Sequence, residues 1–253
     1  MVDSNTYGRA LLVSSDVKGY GSGTDKRHEA VQRTLVQVQE QAASQAGLRR
    51  IEWVIQPGGD GELACLPGTE HEPAVAGDYV MALNQALAAH NAGVPEEERV
   101  RLRVALHYGV AYPAAHGLAG QAVVEVSRLV NWPPLKRVLE VKNRVNLVLI
   151  LSDRVFRETV LQGHTTHKTE QFLPVRVREK EFSGDAWVWA PGEDLSDLDF
   201  LRDPEPPRHP NLLTPPGAAL PPRFDQKADV ITNLNANVVD ARGSVFGVTR
   251  ERS

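Results

Sequence analysis

Two aspartates, far apart in the chain, carry the first chemical signal. Asp16 ends the short apolar run Leu11-Leu-Val-Ser-Ser-Asp16 and is followed by Val17-Lys18-Gly19-Tyr20. A carboxylate there sits at a sheet edge, and the backbone N–H groups of the glycine turn are placed to meet phosphate oxygens. Asp60 lies in Gln56-Pro-Gly-Gly-Asp60-Gly-Glu-Leu63, at the tip of a hairpin between two apolar strands. Taken singly, each reads equally well as a turn former or a cap. Taken together they say more. In a split βαβ sheet the first strand and the hairpin are expected to be adjacent and central, so both side chains come to one edge. Two close carboxylates repel, and a divalent cation resolves the repulsion. Hard oxygen donors favour Mg²⁺ or Mn²⁺.

The elements that must position these residues follow from hydrophobic periodicity. The run from Ala10 to Ser14 reads as a buried strand, and residues 25–46 as a helix with Val31, Leu35, Val36 and Val38 near one face. Ile51–Gln56 and Glu62–Leu66 pair as the hairpin. A helix over 74–90 repeats Val80, Leu83 and Leu87 at helical spacing. Arg101–Tyr108 alternates polar and apolar, which predicts a strand with one solvated face. Helices over 121–130 and 134–142, a strand over 145–151, a helix over 153–161, and strands over 175–178 and 186–189 complete the domain. The order β-α-β-β-α-β, then α-β-α-β-β, predicts an α+β fold: a ferredoxin-like sheet with helices on one face, plus an extension.

These motifs resemble the catalytic domain of class III nucleotidyl (adenylyl or guanylyl) cyclases. The family pattern is a strand ending Asp-x-x-Gly-Phe, a helix, and a hairpin with Gly-Asp at its tip. Asp16-Val-Lys-Gly-Tyr20 and Gly59-Asp60 follow it, with tyrosine for phenylalanine. Arg101-Leu-Arg-Val-Ala-Leu-His-Tyr-Gly109 is similar to the family's Arg-x-Gly-Ile-His-x-Gly strand, Gly120 to Leu129 to its Asn-and-Arg helix, and Val177-Arg-Glu-Lys180-Glu to its lysine-bearing strand. The similarity runs from about Tyr7 to Trp189 and is greatest to actinobacterial cyclase-homology domains.

The resemblance implies conversion of a nucleoside triphosphate to a 3′,5′-cyclic nucleotide and pyrophosphate, with two Mg²⁺ or Mn²⁺ ions. Asp16 and Asp60 would hold them, helped by the Val17 carbonyl. The Val17–Tyr20 turn would cradle phosphates, Arg128 would stabilise charge at the α-phosphate, and Lys180 would bind the triphosphate. The family's site lies between two subunits, which implies a homodimer. Three positions depart from the pattern: Val124 replaces the ribose-positioning asparagine, Gln56 the base-reading lysine, and Gly117 falls at the base-reading acidic position. The alternative is therefore a degenerate cyclase-homology module that binds nucleotide or dimerises and couples to an effector. Gly58-Gly-Asp-Gly-Glu62 also resembles the Gly-Gly-Asp-Glu-Phe signature of diguanylate cyclases, but with an inserted Gly61.

Composition bounds the rest. The chain has 253 residues, 42% hydrophobic, with a net charge of -4. So small a charge argues against a general nucleic-acid or membrane-surface binder. One cysteine, Cys65, allows no internal disulfide and reads as a small core residue on a strand. The polar start and the lack of a long apolar run lead to the expectation of a cytoplasmic protein. The cyclase-like domain is expected over 7–190. A linker over 191–225 follows, where about half of the 17 prolines cluster. Residues 226–253 read as a short β tail too small for a core, expected to dock on an effector protein. His164 and His167 are expected in a solvated loop, and Trp187 and Trp189 at core and rim.

Overall fold

The structure, a computed structural model, describes residues Gly8–Arg202. The tail strands expected after residue 226, and the greater part of the proline-rich stretch, lie outside the described residues. No helix among the described residues is long and apolar enough to cross a membrane.

The chain begins with β1 (Gly8–Val17) and α1 (Asp25–Gln45). Thr24 caps α1 by accepting from the Arg27 N–H, and Gly47 at φ 69° lets the chain reverse after its last turn. The hairpin β2 (Val54–Pro57) and β3 (Gly61–Cys65) follows. A short α2 (Glu72–Ala74) passes through a π turn (Val75–Tyr79) into α3 (Val80–Asn91). Then come β4 (Leu102–Ala114), β5 (Gly117–Ala119), α4 (Gln121–Asn131) and α5 (Pro133–Val141). The domain ends with β6 (Leu147–Ser152), α6 (Asp153–Glu158), β7 (Leu173–Glu179) and β8 (Phe182–Trp189).

The sheet order is β2-β3-β1-β4-β6-β8-β7, with β5 paired to β4. β1 is antiparallel to both of its neighbours, β3 and β4. β3 and β4 therefore run the same way with β1 between them, joined through α2 and α3. Likewise β1 and β2 flank β3, joined through α1. The strand order 2-3-1-4 is the split βαβ arrangement, and β6, β8 and β7 extend it. The hairpin is adjacent to β1 as expected, but it is not central: β2 forms the outer edge of the sheet.

Helices cover both faces, not one. Leu12, Ala105, Val148, Ile150, Val175 and Val188 form a core with Ala122, Val126 and Leu129 of α4 and Leu135 and Leu139 of α5. The alternate residues Leu11, Val13, Val104, Leu106, Leu149 and Leu151 are equally buried and point to the opposite face, the side of α1 and α3. Phe156 of α6 stacks on Trp187 at 3.8 Å between centroids. Covering on both sides overturns the expected solvated face of β4: Arg101, Arg103 and His107 are all buried, with His107 paired to Glu125 of α4. Val36 is the exception on α1, half-exposed while Val31, Leu35 and Val38 are buried.

Past β8 the chain stays on the domain for a time. Leu195 and Leu201 join the core beside α5, and the Arg137 guanidinium lies 4.5 Å from the Phe200 ring centre.

Candidate metal and nucleotide site

Asp16 is the penultimate residue of β1, and its register partners are Gly61 on one side and Arg103 on the other. Gly61 is there for a steric reason. A Cβ at that position would stand 1.9 Å from the Ser15 carbonyl oxygen. Without a side chain the hairpin closes onto the end of β1, and the Val17 N–H donates to the Asp60 carbonyl at 2.7 Å. The Gly58 N–H donates to the Gly61 carbonyl at 2.7 Å and tightens the tip. The two aspartates predicted to work together are thus joined, one residue removed, by a main-chain hydrogen bond. Asp60 is exposed, whereas Asp16 is partly buried.

The turn after Asp16 is held from three directions. The Tyr20 ring stacks on His28 at 4.4 Å, and a His28 ring nitrogen bonds the Tyr20 carbonyl at 2.9 Å. Gln32 donates both to the Tyr20 hydroxyl at 2.8 Å and to the Gly59 carbonyl at 3.1 Å, tying α1, the turn and the hairpin tip together. Gly19, at φ 72°, supplies the left-handed backbone that the turn needs. Fewer N–H groups are open in this turn than the expected phosphate cradle would use. The Val17 N–H is taken by Asp60, and the Lys18 N–H donates to the Arg101 carbonyl at 2.9 Å, so only Gly19 and Tyr20 remain of the four predicted donors. The Lys18 side chain is also committed: its ammonium donates to the Leu139 carbonyl at the end of α5, 2.9 Å away. Burial, and then the Arg101 charge, lower its pKa.

Sequence reasoning missed Arg103. Its guanidinium pairs with the Asp16 carboxylate across β1 and β4, with both side chains largely buried. Burial pushes the Arg103 pKa down to about 10, opposed by the charge of Glu140 on α5. The Nε of Arg103 and Nη1 of Arg101 are buried with no hydrogen-bond partner among the described residues, and Asp16 Oδ2 accepts no well-formed hydrogen bond. The signal was present, since Arg103 lies directly across from Asp16 in the strand pattern. A strand assumed to have a wet face hid it.

The donor chemistry suits a divalent cation. No group of three or more His, Cys, Asp or Glu residues able to hold a metal occurs among the described residues. Two carboxylates and a carbonyl, completed by water and substrate phosphates, are a characteristic Mg²⁺ set. Asp16 Oδ2, buried and answered only by a guanidinium, has the chemistry of such a donor.

The remaining predicted residues lie elsewhere. The Gln56 side-chain amide oxygen accepts from the Leu118 N–H at 2.9 Å, and a Cβ on Gly117 would stand 2.4 Å from that same oxygen. The two positions that the resemblance assigned to base reading therefore do meet, but the amide is partly engaged by the main chain of β5. Arg128, on α4, donates to Glu181 at 2.7 and 3.1 Å. Lys180 is not on a strand: it sits beside Glu181 in the β7–β8 turn, at φ 54°. Val124 is exposed on α4. Register places these groups relative to Asp16, which lies opposite Arg103, itself opposite Val148. Ser152, further along β6, lies opposite Ala186, and β8 then continues back to Phe182 and the turn. Lys180 is thus about 25 Å along the strands from Asp16, at the far end of the sheet, and the Arg128 guanidinium, 2.7 Å from Glu181, lies beside that turn.

Two other expectations need correction. His167 is buried, packed against Phe172 and Trp189, and does not lie in a solvated loop. Trp187 and Trp189 are both core residues. Cys65 lies on β3, partly buried, and burial raises its thiol pKa.

The sequence matches no protein-family model and no curated protein. Solved structures do match. The adenylate/guanylate cyclase/hydrolase from Silicibacter pomeroyi aligns with a TM-score of 0.53 at 19% identity, covering 74% of this chain and 98% of that one. The guanylyl cyclase Cya2 aligns at 0.51 and 13% identity, covering 72% and 91%. The guanylate cyclase domain of RhGC from Catenaria anguillulae, in complex with GTP, aligns at 0.51 and 14%, covering 73% and 97%. The chain has the fold of a class III nucleotidyl cyclase catalytic domain.

Proposed function

We propose that this protein is a metal-dependent nucleotidyl cyclase that works as a homodimer, converting a nucleoside triphosphate to a 3′,5′-cyclic nucleotide and pyrophosphate. The observation that carries this reading is the Val17–Asp60 hydrogen bond, which brings the hairpin tip, with Asp60 just ahead of β3, against the end of β1 that bears Asp16. Asp16, Asp60 and the Val17 carbonyl would hold the Mg²⁺ or Mn²⁺ ions. Ions bound there supply acidification of the ribose 3′-hydroxyl and neutralisation of triphosphate charge. Gly19 and Tyr20 offer N–H groups to phosphate oxygens. Arg128 and Lys180, far along the sheet, serve the acidic end of a second copy, with Arg128 at the α-phosphate and Lys180 at the triphosphate. An isologous pair of chains then forms two sites, each drawn from both copies.

Incubation with each of the four nucleoside triphosphates and Mn²⁺, followed by mass spectrometry, tests this. A cyclic nucleotide is expected from at least one, and Asp60→Ala abolishes it. Absence of product from all four overturns the catalytic reading.

A second reading has its own support. Val124 places an exposed aliphatic side chain where the family positions ribose, and the Gln56 side-chain amide oxygen already accepts from the Leu118 N–H. Both favour a module that binds metal–nucleotide without turnover, with coupling to an effector assigned to the tail. Its signature is thermal stabilisation by nucleotide with Mn²⁺ and no product.

A further inference from the structure

The proposed metal ligand Asp16 is already partnered, and by a residue on a neighbouring strand. Arg103 stands directly opposite Asp16 in the β1–β4 register, on the face covered by α4 and α5, and the guanidinium grips the carboxylate. A cation at Asp16 Oδ2 and the guanidinium that meets that same oxygen draw on the same lone pairs and supply the same compensating charge. Both cannot hold that oxygen fully.

A second carboxylate belongs to the element that packs against the turn after Asp16. Glu140 belongs to the last turn of α5, and its neighbour Leu139 is the residue whose carbonyl Lys18 reaches from the turn beside Asp16. The Glu140 charge acts on both Lys18 and Arg103. Glu140 is exposed. The Arg103 Nε is a buried N–H with no acceptor in its present position.

We propose that Arg103 is a built-in substitute for the metal, holding Asp16 when no cation is bound and moving to Glu140 when a divalent cation takes its place. Arg103 and the cation thus compete, Glu140 is the acceptor that lets the exchange go forward, and the affinity of the site for free metal is set by this arginine as much as by the aspartates. The inference rests on the assignment of Asp16 as a metal ligand but not on turnover, so it is read by metal binding alone.

The experiment is titration of the nucleotide-free full chain with Mn²⁺, followed by electron paramagnetic resonance of the free ion. Asp16→Asn is expected to abolish tight binding. Arg103→Gln is expected to bind Mn²⁺ at least about tenfold more tightly than the parent, because removing a unit charge a few ångströms away is worth that much even at the effective dielectric of a protein surface. Glu140→Gln is expected to weaken binding severalfold. Simple attraction between Glu140 and the cation would also weaken it, so the double variant decides. Placed in the Arg103→Gln background, Glu140→Gln should have almost no effect if it acts through Arg103. Arg103→Lys, which leaves Asp16 a cation in case the neutral variant fails to fold, should also tighten Mn²⁺ binding, by less. Unchanged or weaker Mn²⁺ affinity in both Arg103 variants overturns the exchange, as does a full Glu140→Gln effect in the double variant. Unaltered binding in Asp16→Asn removes the metal assignment itself, and the inference with it. A cyclic-nucleotide assay that fails while these affinities behave as stated would sink only the catalytic reading.

Discussion

A buried charge needs an answering charge, and Asp16 takes its answer from Arg103, a neighbour that the sequence pattern had assigned to water. His167 poses the same problem and solves it by staying neutral. It lies 4.4 Å from the Trp189 ring and 5.6 Å from Phe172, and its Nε2 is buried without a partner. Burial lowers its pKa from the ordinary 6.5, and the charge of Asp78 offsets this only in part. With the folded value below the unfolded one, the unfolded chain binds the extra proton first. Stability from this residue is therefore complete above about pH 6.5 and declines as pH falls from there through the folded value. Thermal melts between pH 7.5 and 5 should show a fall in Tm that His167→Phe makes shallower; an identical slope in the variant would count against it. At this scale Asp16 and Asp60 were legible, because an acid after a strand and an acid in a glycine hairpin are local patterns. Arg103 and His167 were not, because what covers a side chain is decided by elements distant in the chain. A loop of two threonines between two histidines looks wet until Phe172 and Trp189 are folded over it.

The hairpin β2–β3 is the element on which the site depends most. Its approach to β1 requires a residue without a side chain at position 61, since any Cβ would meet the Ser15 carbonyl. Gly61→Ala should push the tip outward, lengthen the Val17–Asp60 hydrogen bond and loosen the pairing of Asp16 with its partners. The expected result is a loss of about 1–3 kcal/mol of stability, as for other overpacked positions. Faster hydrogen exchange at Val17 and over residues 54–65 should accompany it, with weaker Mn²⁺ binding; unchanged exchange there would refute the steric account. The strands and helices were largely readable from period alone: α4 extends one residue beyond its predicted end, and α5 runs 133–141 where 134–142 was expected. Three-residue β5 was not read, being too short for periodicity to register, yet it is β5 that engages Gln56. The covering of the second face was missed for a related reason. The apolar stripes of α4 and α5 show that they bury a face, not which side of the sheet receives it.

At the scale of the whole molecule, the two halves of the proposed site lie toward opposite ends of the sheet. One end of the sheet carries Asp16 and Asp60, and the other carries Arg128 and Lys180. On the proposed reading such a chain is incomplete alone, and mixing two defective chains tests that directly. Asp60→Ala and Arg128→Ala should each be inactive. Mixed in equal amounts and allowed to exchange, they should recover about a quarter of the parent turnover, since half of the pairs are mixed and each of those holds one intact site. Recovery near zero, with mixed pairs demonstrated, would place all the working groups within one chain. The strand order itself was largely derivable, because a split βαβ unit follows from element succession. The separation of Arg128 from Asp16 was not, since it emerges only from the register across β4, β6 and β8.

The position of β4, threaded between β1 and β6 with both faces covered, has a further consequence for how this protein is made. By the time Gly109 has left the ribosome, the nascent chain already contains Asp16, Asp60 and Arg103. It lacks β6, α4 and α5, the parts that shut water away from the back of β4. The Asp16–Arg103 pair is thus synthesised early and covered late, and a polypeptide released before residue 151 would expose β4 as an open, sticky ledge.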